Sequence, residues 1–382
     1  TSPDTMVSLI QRGVMDMIGA ARPSIADPFL PKKIEEGRLD EIRECIGCNI
    51  CVAGDWLSVP MRCTQNPTMG EEWRRGWHPE IIAPRGSEDT VLVVGSGPAG
   101  LEAARGLGQR GYQVTLEEAK TELGGRVSRE SRLPGLAEWA RVRDWRVGQL
   151  HKLNNVEIYL DSELSAEHVR EFGYHHVVLA TGARWRTDGV GRVHNDPIAG
   201  VDVANVLSPD DVMDGTFPKG QVVVFDDDHY YMGNVVAEAL RKSGCDVTLV
   251  TPAADIASWS KNTLELERVA EHMHHIGVKM ITHHNLVEMS HESVTIEHIY
   301  TRQCAILAAN AVVPVTARLP VDALYTQLKG TLSGTGIKSL NRIGDCLAAG
   351  AIVHATYAGH RFAQELDTEE QDRIFRHEFP GV

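Results

Sequence analysis

Four of the seven cysteines lie in one short segment of the chain, where their spacing could support metal or redox chemistry. The pattern C-x2-C-x2-C-x11-C is formed by Cys45, Cys48, Cys51 and Cys63. Three thiolates at three-residue steps can wrap around one corner of a cube, and a fourth thiolate can arrive from a loop. Four thiolates are the ligand set of a [4Fe–4S] cluster. The spacing therefore favours an iron–sulfur site.

Two other interpretations of these cysteines stay open. Structural zinc also takes four thiolates, but zinc ligands usually come as two C-x-x-C pairs, whereas here three cysteines share one turn and the fourth is remote. The thiols could also be inert. Disulfides explain the crowding less well, because the chain is large and carries no secretory signal. The isolated Cys245, Cys304 and Cys346 are predicted to be small buried apolar residues.

A glycine-rich turn is the second feature with clear chemistry. The stretch VLVVGSGPAGLEAARGLGQRGYQVTLEEA (91–119) predicts a buried parallel strand, a helix and a second strand. Between the first strand and the helix, G-x-G-x-x-G is completed by Gly95, Gly97 and Gly100. Glu118 closes the second strand, about 20 residues after the first glycine. This is the full fingerprint of a dinucleotide-binding fold, so the prediction is specific.

Each part of this fingerprint has a physical role. Gly95 would make the tight turn, Gly97 would let the backbone approach a pyrophosphate, and Gly100 would let helix and strand pack closely. The helix N-terminus offers free N–H groups and a positive dipole end to phosphates. Glu118 is predicted to accept hydrogen bonds from an adenosine ribose, with Glu117 on the other side of the strand. A glycine-rich turn without a ligand is the alternative.

A second copy of this unit is defective. The stretch VVVFDDDHYYMGNVVAEALRKSGCDVTLVTP (222–252) repeats the order of strand, turn, helix, glycine and strand, but Asp226, Asp228 and Tyr231 replace the turn glycines. Side chains then occupy the space of a pyrophosphate, and carboxylates repel it. We predict a Rossmann-like domain without NAD(P)H binding. A nucleotide bound in another pose is the alternative.

The remaining stretches arrange these units into an α/β chain. Residues 1–31 predict a helix and then a buried strand over 15–23, and 32–44 predict a charged connecting helix. The stretches HHVVLATG and SLNRIGD each predict a strand, and a helix follows SLNRIGD. We therefore predict that the degenerate domain is inserted in the first dinucleotide domain, which the C-terminal strand and helix complete. The predicted divisions are 1–44, the cluster segment 45–85, an adenylate domain of 86–205 and 311–382, and a degenerate domain of 206–310.

Composition and charge exclude several classes of protein. With 382 residues, 42% hydrophobic and 24% charged, the chain is neither disordered nor fibrous and is long enough for two or three domains. A net charge of −14 argues against nucleic acid or anionic membrane as a partner. No apolar run approaches a membrane span. The first residues lack a signal-peptide layout and an initiator Met, so we expect a cytoplasmic fragment or processed product.

Together these motifs resemble the iron–sulfur flavoprotein amine dehydrogenases. That family includes trimethylamine, dimethylamine and histamine dehydrogenases and the related dimethylglycine and betaine demethylases, with 2,4-dienoyl-CoA reductase as a more distant relative. Members combine a (β/α)8 barrel holding FMN, a [4Fe–4S] segment and two nucleotide-binding-like domains. The chain is similar to them from the last barrel strand onward, without most of the barrel. The matching stretches are ARPSIADPFLPKKIEEGR, CIGCNIC, CTQNPTMGEEWRRGWHPE, VLVVGSGPAG, LATGARWRTDG and IGD.

The resemblance implies roles for individual residues. The four clustered cysteines would ligate the cluster, and Arg22 would reach the FMN phosphate, since barrel enzymes commonly bind phosphate at that end. The glycine-rich turn and its acid would hold the AMP half of ADP or FAD. Further nucleotide contacts are implied for Gly124, Gly125, Thr181, Gly182 and Asp345. The amine dehydrogenases hold ADP and the dienoyl reductase holds FAD fed by NADPH, so the damaged second copy favours ADP.

The resemblance also implies a mechanism and partners. A small amine substrate would reduce FMN in the barrel portion or subunit, and single electrons would pass to the cluster and on to an electron-transferring flavoprotein. The chain alone is not expected to turn over substrate, its catalytic residues are not identified, and a homo-oligomer is expected. Trp145 falls where the trimethylamine enzyme has an exposed aromatic near its acceptor, with buried packing as the alternative.

Two other functions remain as alternatives. One is an NAD(P)H-dependent reductase with FAD and a cluster, like the small subunit of glutamate synthase. The other is a redox-inactive assembly subunit that only binds ADP. A histidine metal site is less favoured, because HMHH (272–275) has unsuited spacing on a helix and is more typical of a solvated face.

Overall fold

A computed structural model describes residues 2–368 of the chain. Its α-helices are α1 (Pro3–Gln11), α2 (Ala21–Ala26), α3 (Leu30–Glu35), α4 (Ile50–Trp56), α5 (Glu72–Arg75), α6 (Pro98–Arg110), α7 (Arg126–Glu130), α8 (Ala140–Leu150), α9 (Ala166–Glu171), α10 (Pro209–Met213), α11 (Tyr231–Lys242), α12 (Leu266–His275), α13 (Ala323–Leu328) and α14 (Ile352–Glu365). Short 3-10 turns lie at Leu39–Glu41, Ala137–Trp139, Ser258–Lys261 and Gly344–Cys346.

The strands follow the same chain order and alternate with these helices over most of the sequence. They are β1 (Thr90–Val94), β2 (Gln113–Glu117), β3 (Val156–Tyr159), β4 (His176–Leu179), β5 (Ala183–Trp185), β6 (Gln221–Asp226), β7 (Asp246–Val250), β8 (Lys279–Ile281), β9 (His284–Met289), β10 (Ser293–His298), β11 (Cys304–Ala308), β12 (Ala311–Val315), β13 (Arg318–Pro320) and β14 (Ser339–Arg342). The predicted strands and helices of both dinucleotide units are confirmed.

The chain divides into two compact units. The first unit comprises Thr1–Ser128, Glu138–Gly182 and Pro320–Val382, and the second comprises Arg129–Ala137 and Ala183–Leu319. The second unit therefore interrupts the first along the sequence. The predicted second domain spans 206–310, whereas 129–137, 183–205 and 311–319 also belong to this unit.

A parallel sheet is the frame of the first unit. Its strand order is β14-β4-β1-β2-β3, and every pair in it is parallel. Val94 pairs with Glu117 on one side and with Leu179 on the other, so the carboxyl ends of the central strands lie level. In open parallel sheets ligands bind at this edge. The last strand, β14, comes from beyond the second unit.

Helix α6 is buried between this sheet and α14. A Cβ added at Gly359 of α14 would lie 2.2 Å from the carbonyl oxygen of Ala99, and one added at Gly106 would lie 2.7 Å from Ala363 Cβ. Glycine therefore permits two helix backbones to approach closely. This packing fixes the direction in which the N-terminus of α6 points.

The second unit contains a parallel sheet of order β12-β6-β7-β8 and an antiparallel sheet of order β11-β10-β9. Helix α11 follows β6 and is buried over most of its length. This arrangement repeats the strand–helix–strand order of the first unit, as the sequence predicts.

The N-terminal region differs from prediction. Residues 15–20 form an irregular segment followed by α2, and not a buried strand; Met17 is 81% exposed. A strand needs neighbours to pair its N–H and C=O groups, and no other strand precedes β1 among the described residues. The predicted helix over 32–44 is also wrong. Gly37 adopts a left-handed φ of +71° and ends α3 one residue after its cap.

Candidate functional site

The four clustered cysteines lie on a tightly wound stretch that leads into α4 and on the loop that follows it. Left-handed backbone occurs at Gly47 and Asn49, with φ of +72° and +53°, and α4 begins at Ile50. Two such residues within three positions turn the chain sharply. Cys51 lies in the first turn of α4, and Cys63 returns from the loop after the helix.

Hydrogen-bond donors surround the sulfur atoms. The Gly47 N–H lies 3.4 Å from Cys45 Sγ, and Thr64 Oγ1 lies 3.2 Å from Cys48 Sγ. The backbone N–H of Val52 also faces Cys51. In the same way, the backbone N–H of Ile50 faces Cys48, and the backbone N–H groups of Gln65 and Asn66 face Cys63. N–H donors around thiolates are a property of iron–sulfur sites, where they tune the potential.

Burial raises the pKa of Cys48 to about 11 and that of Cys63 to about 12, although the hydrogen bonds act in the other direction. Negative charge on Cys45 and Cys51 raises the pKa of Cys48 further, so these sulfurs are close enough to repel one another as thiolates. A cation at their centre would remove that repulsion and bind the thiolate forms with release of protons. Four converging thiols with N–H donors therefore fit a [4Fe–4S] cluster.

The glycine-rich turn forms an open cradle at the carboxyl edge of the first sheet. Gly95 has φ +99°, and a Cβ there would lie 2.6 Å from the carbonyl oxygen of Ala180. A Cβ on Gly100 would lie 1.9 Å from the Gly95 oxygen. Gly97 caps α6 without a side-chain hydrogen bond, and open space lies in front of it. The first N–H groups of α6 therefore face a space that a phosphate could enter.

Glu118 organises this turn. Its Oε2 accepts hydrogen bonds from the Ser96 N–H at 2.9 Å and the Ser96 hydroxyl at 2.6 Å, and its Oε1 accepts from the Lys120 N–H at 2.9 Å. The Glu117 side chain is buried as well, and its Oε2 has no hydrogen-bond partner among the described residues. The acid of the fingerprint therefore lies against the turn, where the sequence places it.

The further predicted nucleotide contacts gather around the same edge. Gly125 lies beside Gly97, since a Cβ on it would be 3.1 Å from the Gly97 Cα, and the Gly124 N–H donates to the Ser96 oxygen at 3.0 Å. Thr181 directly follows Ala180, whose carbonyl touches Gly95, and Gly182 adopts φ +78°.

Asp345 belongs to the turn before α14. Its carboxylate accepts from the Gly350 N–H at 3.0 Å and lies 3.2 Å from the Arg126 guanidinium. The neighbouring Gly344 packs on the first turn of α6, because a Cβ there would be 2.7 Å from Ala99 Cβ. The ends of β1, β4 and β14 thus meet around one cradle.

Arg22 lies beside the cysteine segment. It is exposed, and its guanidinium hydrogen-bonds to the side-chain oxygen of Asn49. Its positive charge also acts on Cys51. A role in holding an FMN phosphate stays a prediction.

A buried polar network connects the cysteine loop with α6, and sequence reasoning missed it. Glu102 lies in α6, and its carboxylate accepts hydrogen bonds from Arg146 Nε at 2.8 Å and from His360 Nδ1 at 3.0 Å. It also forms an ion pair with Arg105. Arg146 also donates to Gln65 Oε1 at 2.9 Å. Burial alone would raise the pKa of Glu102, but the two guanidiniums hold it well below its ordinary value. Its signal in the sequence is an acid and a base three residues apart, Glu102 and Arg105, among small and apolar residues of α6.

Trp145 is half-buried and held by this network. Its indole N–H donates to the Glu41 oxygen at 3.0 Å. Three guanidinium groups stack on or near its ring, those of Arg43 at 4.7 Å, Arg105 at 5.3 Å and Arg146 at 5.7 Å. Such contacts fix an aromatic ring in place. Its predicted role near an electron acceptor stays a prediction.

In the second unit, carboxyl groups fill the turn that a phosphate would need. Asp226 is fully buried and accepts the His229 N–H at 2.9 Å. A Cβ on Gly233 would lie 2.6 Å from Asp226 Cγ, so this side chain packs on the first turn of α11. Burial, together with the charge of Asp228, raises the pKa of Asp226 to about 7. Asp227 accepts from two backbone N–H groups of the loop at 192–193. This geometry disfavours a pyrophosphate.

Other sequence predictions have mixed outcomes. The histidines of α12 are exposed, as predicted. Cys245 and Cys346 are buried, but Cys304 is exposed, because β11 is an edge strand of its sheet. Within the described residues, no helix combines the length and hydropathy that a membrane crossing requires.

Comparisons with known proteins place the chain among oxidoreductases. Residues 89–339 match the family model described as pyridine nucleotide-disulphide oxidoreductase. The chain is 39% identical over 395 residues to dimethylamine dehydrogenase of Hyphomicrobium sp. (strain x), covering 96% of the chain and 54% of that relative.

Two solved structures are also similar. Histamine dehydrogenase from Rhizobium sp. 4-9 and 6-hydroxypseudooxynicotine amine oxidase from Pseudomonas geniculata N1 are each 50% identical to the chain, with TM-scores of 0.94. These matches cover 97% and 96% of the chain, and 58% and 55% of the two structures. The chain thus spans about half the length of these relatives. The predicted resemblance to amine dehydrogenases is confirmed, and the chain belongs to the pyridine nucleotide-disulphide oxidoreductase family.

Proposed function

We propose that this chain is the electron-transfer portion of an iron–sulfur flavoprotein oxidoreductase that oxidises and demethylates N-methylated amines. The convergence of four buried or half-buried thiols, each facing N–H or O–H donors, is the observation that carries the proposal. The similarity to dimethylamine and histamine dehydrogenases supports the substrate class.

The cysteine segment would hold a [4Fe–4S] cluster through Cys45, Cys48, Cys51 and Cys63, and such a cluster gains and loses one electron at a time. The protein contributes the enclosure. Cys48 and Cys63 are half-buried, and the surrounding N–H groups would stabilise negative charge on sulfur. Arg22 would face the phosphate of an FMN held by a barrel portion or subunit, where the amine would be oxidised. An electron-transferring flavoprotein would be the acceptor.

The cradle of the first unit would hold the adenylate half of a nucleotide. Gly95, Gly97 and Gly100 leave the α6 N-terminus open for phosphates, and Glu118, which lies against this turn, would accept hydrogen bonds from the ribose. We favour ADP over a catalytic FAD, because the turn of the second unit is filled by Asp226 and Asp227 and offers no place for a hydride donor. The nucleotide would then stabilise the domain and not take part in electron flow.

The match to the pyridine nucleotide-disulphide oxidoreductase model favours one second candidate, an NAD(P)H-dependent reductase subunit with FAD and a cluster. The two candidates predict different absorption changes. NADPH added anaerobically should leave the spectrum of the isolated chain unchanged under our proposal. Bleaching of a bound flavin would favour the reductase.

The cluster itself is tested by anaerobic purification of the chain. We expect four iron and four acid-labile sulfide atoms per chain, a [4Fe–4S] signal in low-temperature electron paramagnetic resonance after reduction, and ADP in the denatured supernatant. Cys63→Ser should lose the cluster, whereas the matched control Cys245→Ser, at a buried cysteine of the other unit, should keep it. A colourless product with zinc and no sulfide would contradict the proposal.

A further inference from the structure

Arg146 joins the cysteine loop to the nucleotide-binding helix from a fully buried position. Its Nε lies 2.8 Å from Glu102 Oε2, its Nη1 lies 2.9 Å from Gln65 Oε1, and its Nη2 lies 3.2 Å from the Gln65 backbone oxygen. The guanidinium therefore grips Gln65 at two points, by side chain and by backbone. A planar fork suits such a two-point contact, and a lysine ammonium cannot reproduce it.

Gln65 is two residues beyond Cys63, and its backbone N–H, together with that of Asn66, faces the Cys63 sulfur. The Gln65 amide also donates to the Glu44 oxygen at 3.0 Å and the Arg141 oxygen at 3.2 Å. Because the Gln65 carbonyl is held, the peptide plane that presents the Asn66 N–H has little freedom to rotate. The hydrogen bonds of the Gln65 side chain fix the residue that presents the other N–H group. The Arg146 charge also lies close enough to Cys63 to interact with the thiolate.

We propose that Arg146 is a positioning residue for the iron–sulfur site, which holds Gln65 so that two backbone N–H groups point at the Cys63 sulfur and thereby raises the reduction potential of the bound cluster. The inference rests on the proposed function. Reduction adds negative charge to a cluster, and N–H···S hydrogen bonds and nearby positive charge stabilise that charge.

Charge and geometry can be separated by substitution. Arg146→Lys keeps a positive charge but loses the two-point grip, whereas Arg146→Met loses both. Arg141→Met is the matched control, because Arg141 lies on the same helix and is about one-third exposed. Among the described residues its guanidinium pairs with Glu44 and Glu138, and the substitution leaves in place the backbone oxygen that accepts from Gln65. Gln65→Leu removes the side-chain part of the grip and leaves Arg146 in place, which provides a second test if Arg146→Met fails to fold.

The experiment is a potentiometric titration of the anaerobically purified chain, followed by electron paramagnetic resonance, with iron and sulfide measured on each sample. We expect Arg146→Met to disfavour cluster reduction about tenfold or more, equivalent to about 59 mV for one electron. Arg146→Lys and Gln65→Leu should shift the potential in the same direction by smaller amounts. Arg141→Met should titrate as the wild type does.

Several results would overturn the inference. If the Arg146→Met variant binds a full cluster and titrates at the wild-type potential, the inference is wrong. If Arg146→Met binds no cluster, the same result for Gln65→Leu decides. An equal shift in Arg141→Met would assign the effect to charge in general. A wild-type potential in Arg146→Lys would reduce Arg146 to a charge without a positioning role. A wild-type chain without a cluster would instead refute the proposed function, and the inference would fall with it.

Discussion

Replacing Asp226 by Asn should remove the loss of stability that ionisation of this carboxyl causes in the second unit as the pH rises. Asp226 is fully buried, and burial raises its pKa from 3.8 to about 7, with the charges of Asp228 and Asp227 as further causes. A carboxyl whose pKa is raised on folding stabilises the fold below its unfolded pKa. That stability is lost as the pH rises towards the folded pKa.

The magnitude follows from the size of the shift. Each pKa unit is worth about 1.4 kcal/mol, so ionisation of Asp226 costs about 4 kcal/mol in total, of which about 2 to 3 kcal/mol falls between pH 5 and pH 8. Asn has the same shape and can still accept the His229 N–H, which lies 2.9 Å from the carboxyl oxygen. The free energy of unfolding of Asp226→Asn, relative to that of the wild type, should therefore increase by about 2 to 3 kcal/mol between pH 5 and pH 8.

Hydrogen exchange of peptides from β6 and α11 measures this difference, because wild type and variant are compared at the same pH and intrinsic exchange rates cancel. Asp246→Asn is the control, since it removes a carboxylate that is 45% exposed at the start of the next strand. A constant difference between Asp226→Asn and the wild type from pH 5 to pH 8 would refute the reasoning.

Three further predictions concern the first unit. Gly97→Ala should lower the amount of bound nucleotide at least tenfold, because the added Cβ meets no protein atom but fills the phosphate position. The nucleotide-free chain should lose only about 1 kcal/mol or less of stability, since Ala is a poorer N-cap than Gly. Nucleotide content is measured by chromatography, and unchanged content would contradict the cradle. Gly359→Ala should destabilise α6–α14 packing by about 1–3 kcal/mol, whereas Gly148→Ala, in an open helix position, should stabilise by about 0.5–1 kcal/mol; urea unfolding tests the opposite signs. Lys33 Nζ lies 2.7 Å from the buried carboxylate of Asp27. Lys33→Met would leave this carboxylate without its ion-pair partner and should lower the free energy of unfolding by about 3–5 kcal/mol. The Lys32 side chain is 62% exposed, so Lys32→Met should change the free energy of unfolding by less than about 0.5 kcal/mol.

Local patterns predicted the parts of the fold that local physics determines. The strand, turn and helix around Gly95 were predictable because glycine spacing, hydrophobic runs and the acid at Glu118 all specify one backbone path. The second copy was predictable for the same reason, and its blockage by Asp226 followed from replacing hydrogen by a carboxylate. The cysteine spacing likewise limited the thiols to a few kinds of site.

Contacts between distant segments were not predictable in this way. Gln65, Glu102 and Arg146 come together from three separate stretches, and nothing in their local sequence pairs them. The predicted strand at 15–23 failed because an apolar run specifies a strand only when partners exist. Cys304 was predicted to be buried because a free cysteine usually behaves as a small apolar residue. It lies on an edge strand and is exposed, and the residue type alone cannot distinguish a sheet edge from a sheet centre.

The position of β14 has a consequence for biosynthesis. The strand that completes the first sheet, and α14 that covers α6, are translated only after the whole second unit. The second unit contains only residues 129–137 and 183–319, so all of it is synthesised before α14. Until α14 has been translated, the apolar surface of α6 that α14 covers stays exposed. Pairings of such long sequence separation form slowly. Premature termination before Ser339 should therefore yield an aggregation-prone product that chaperones retain.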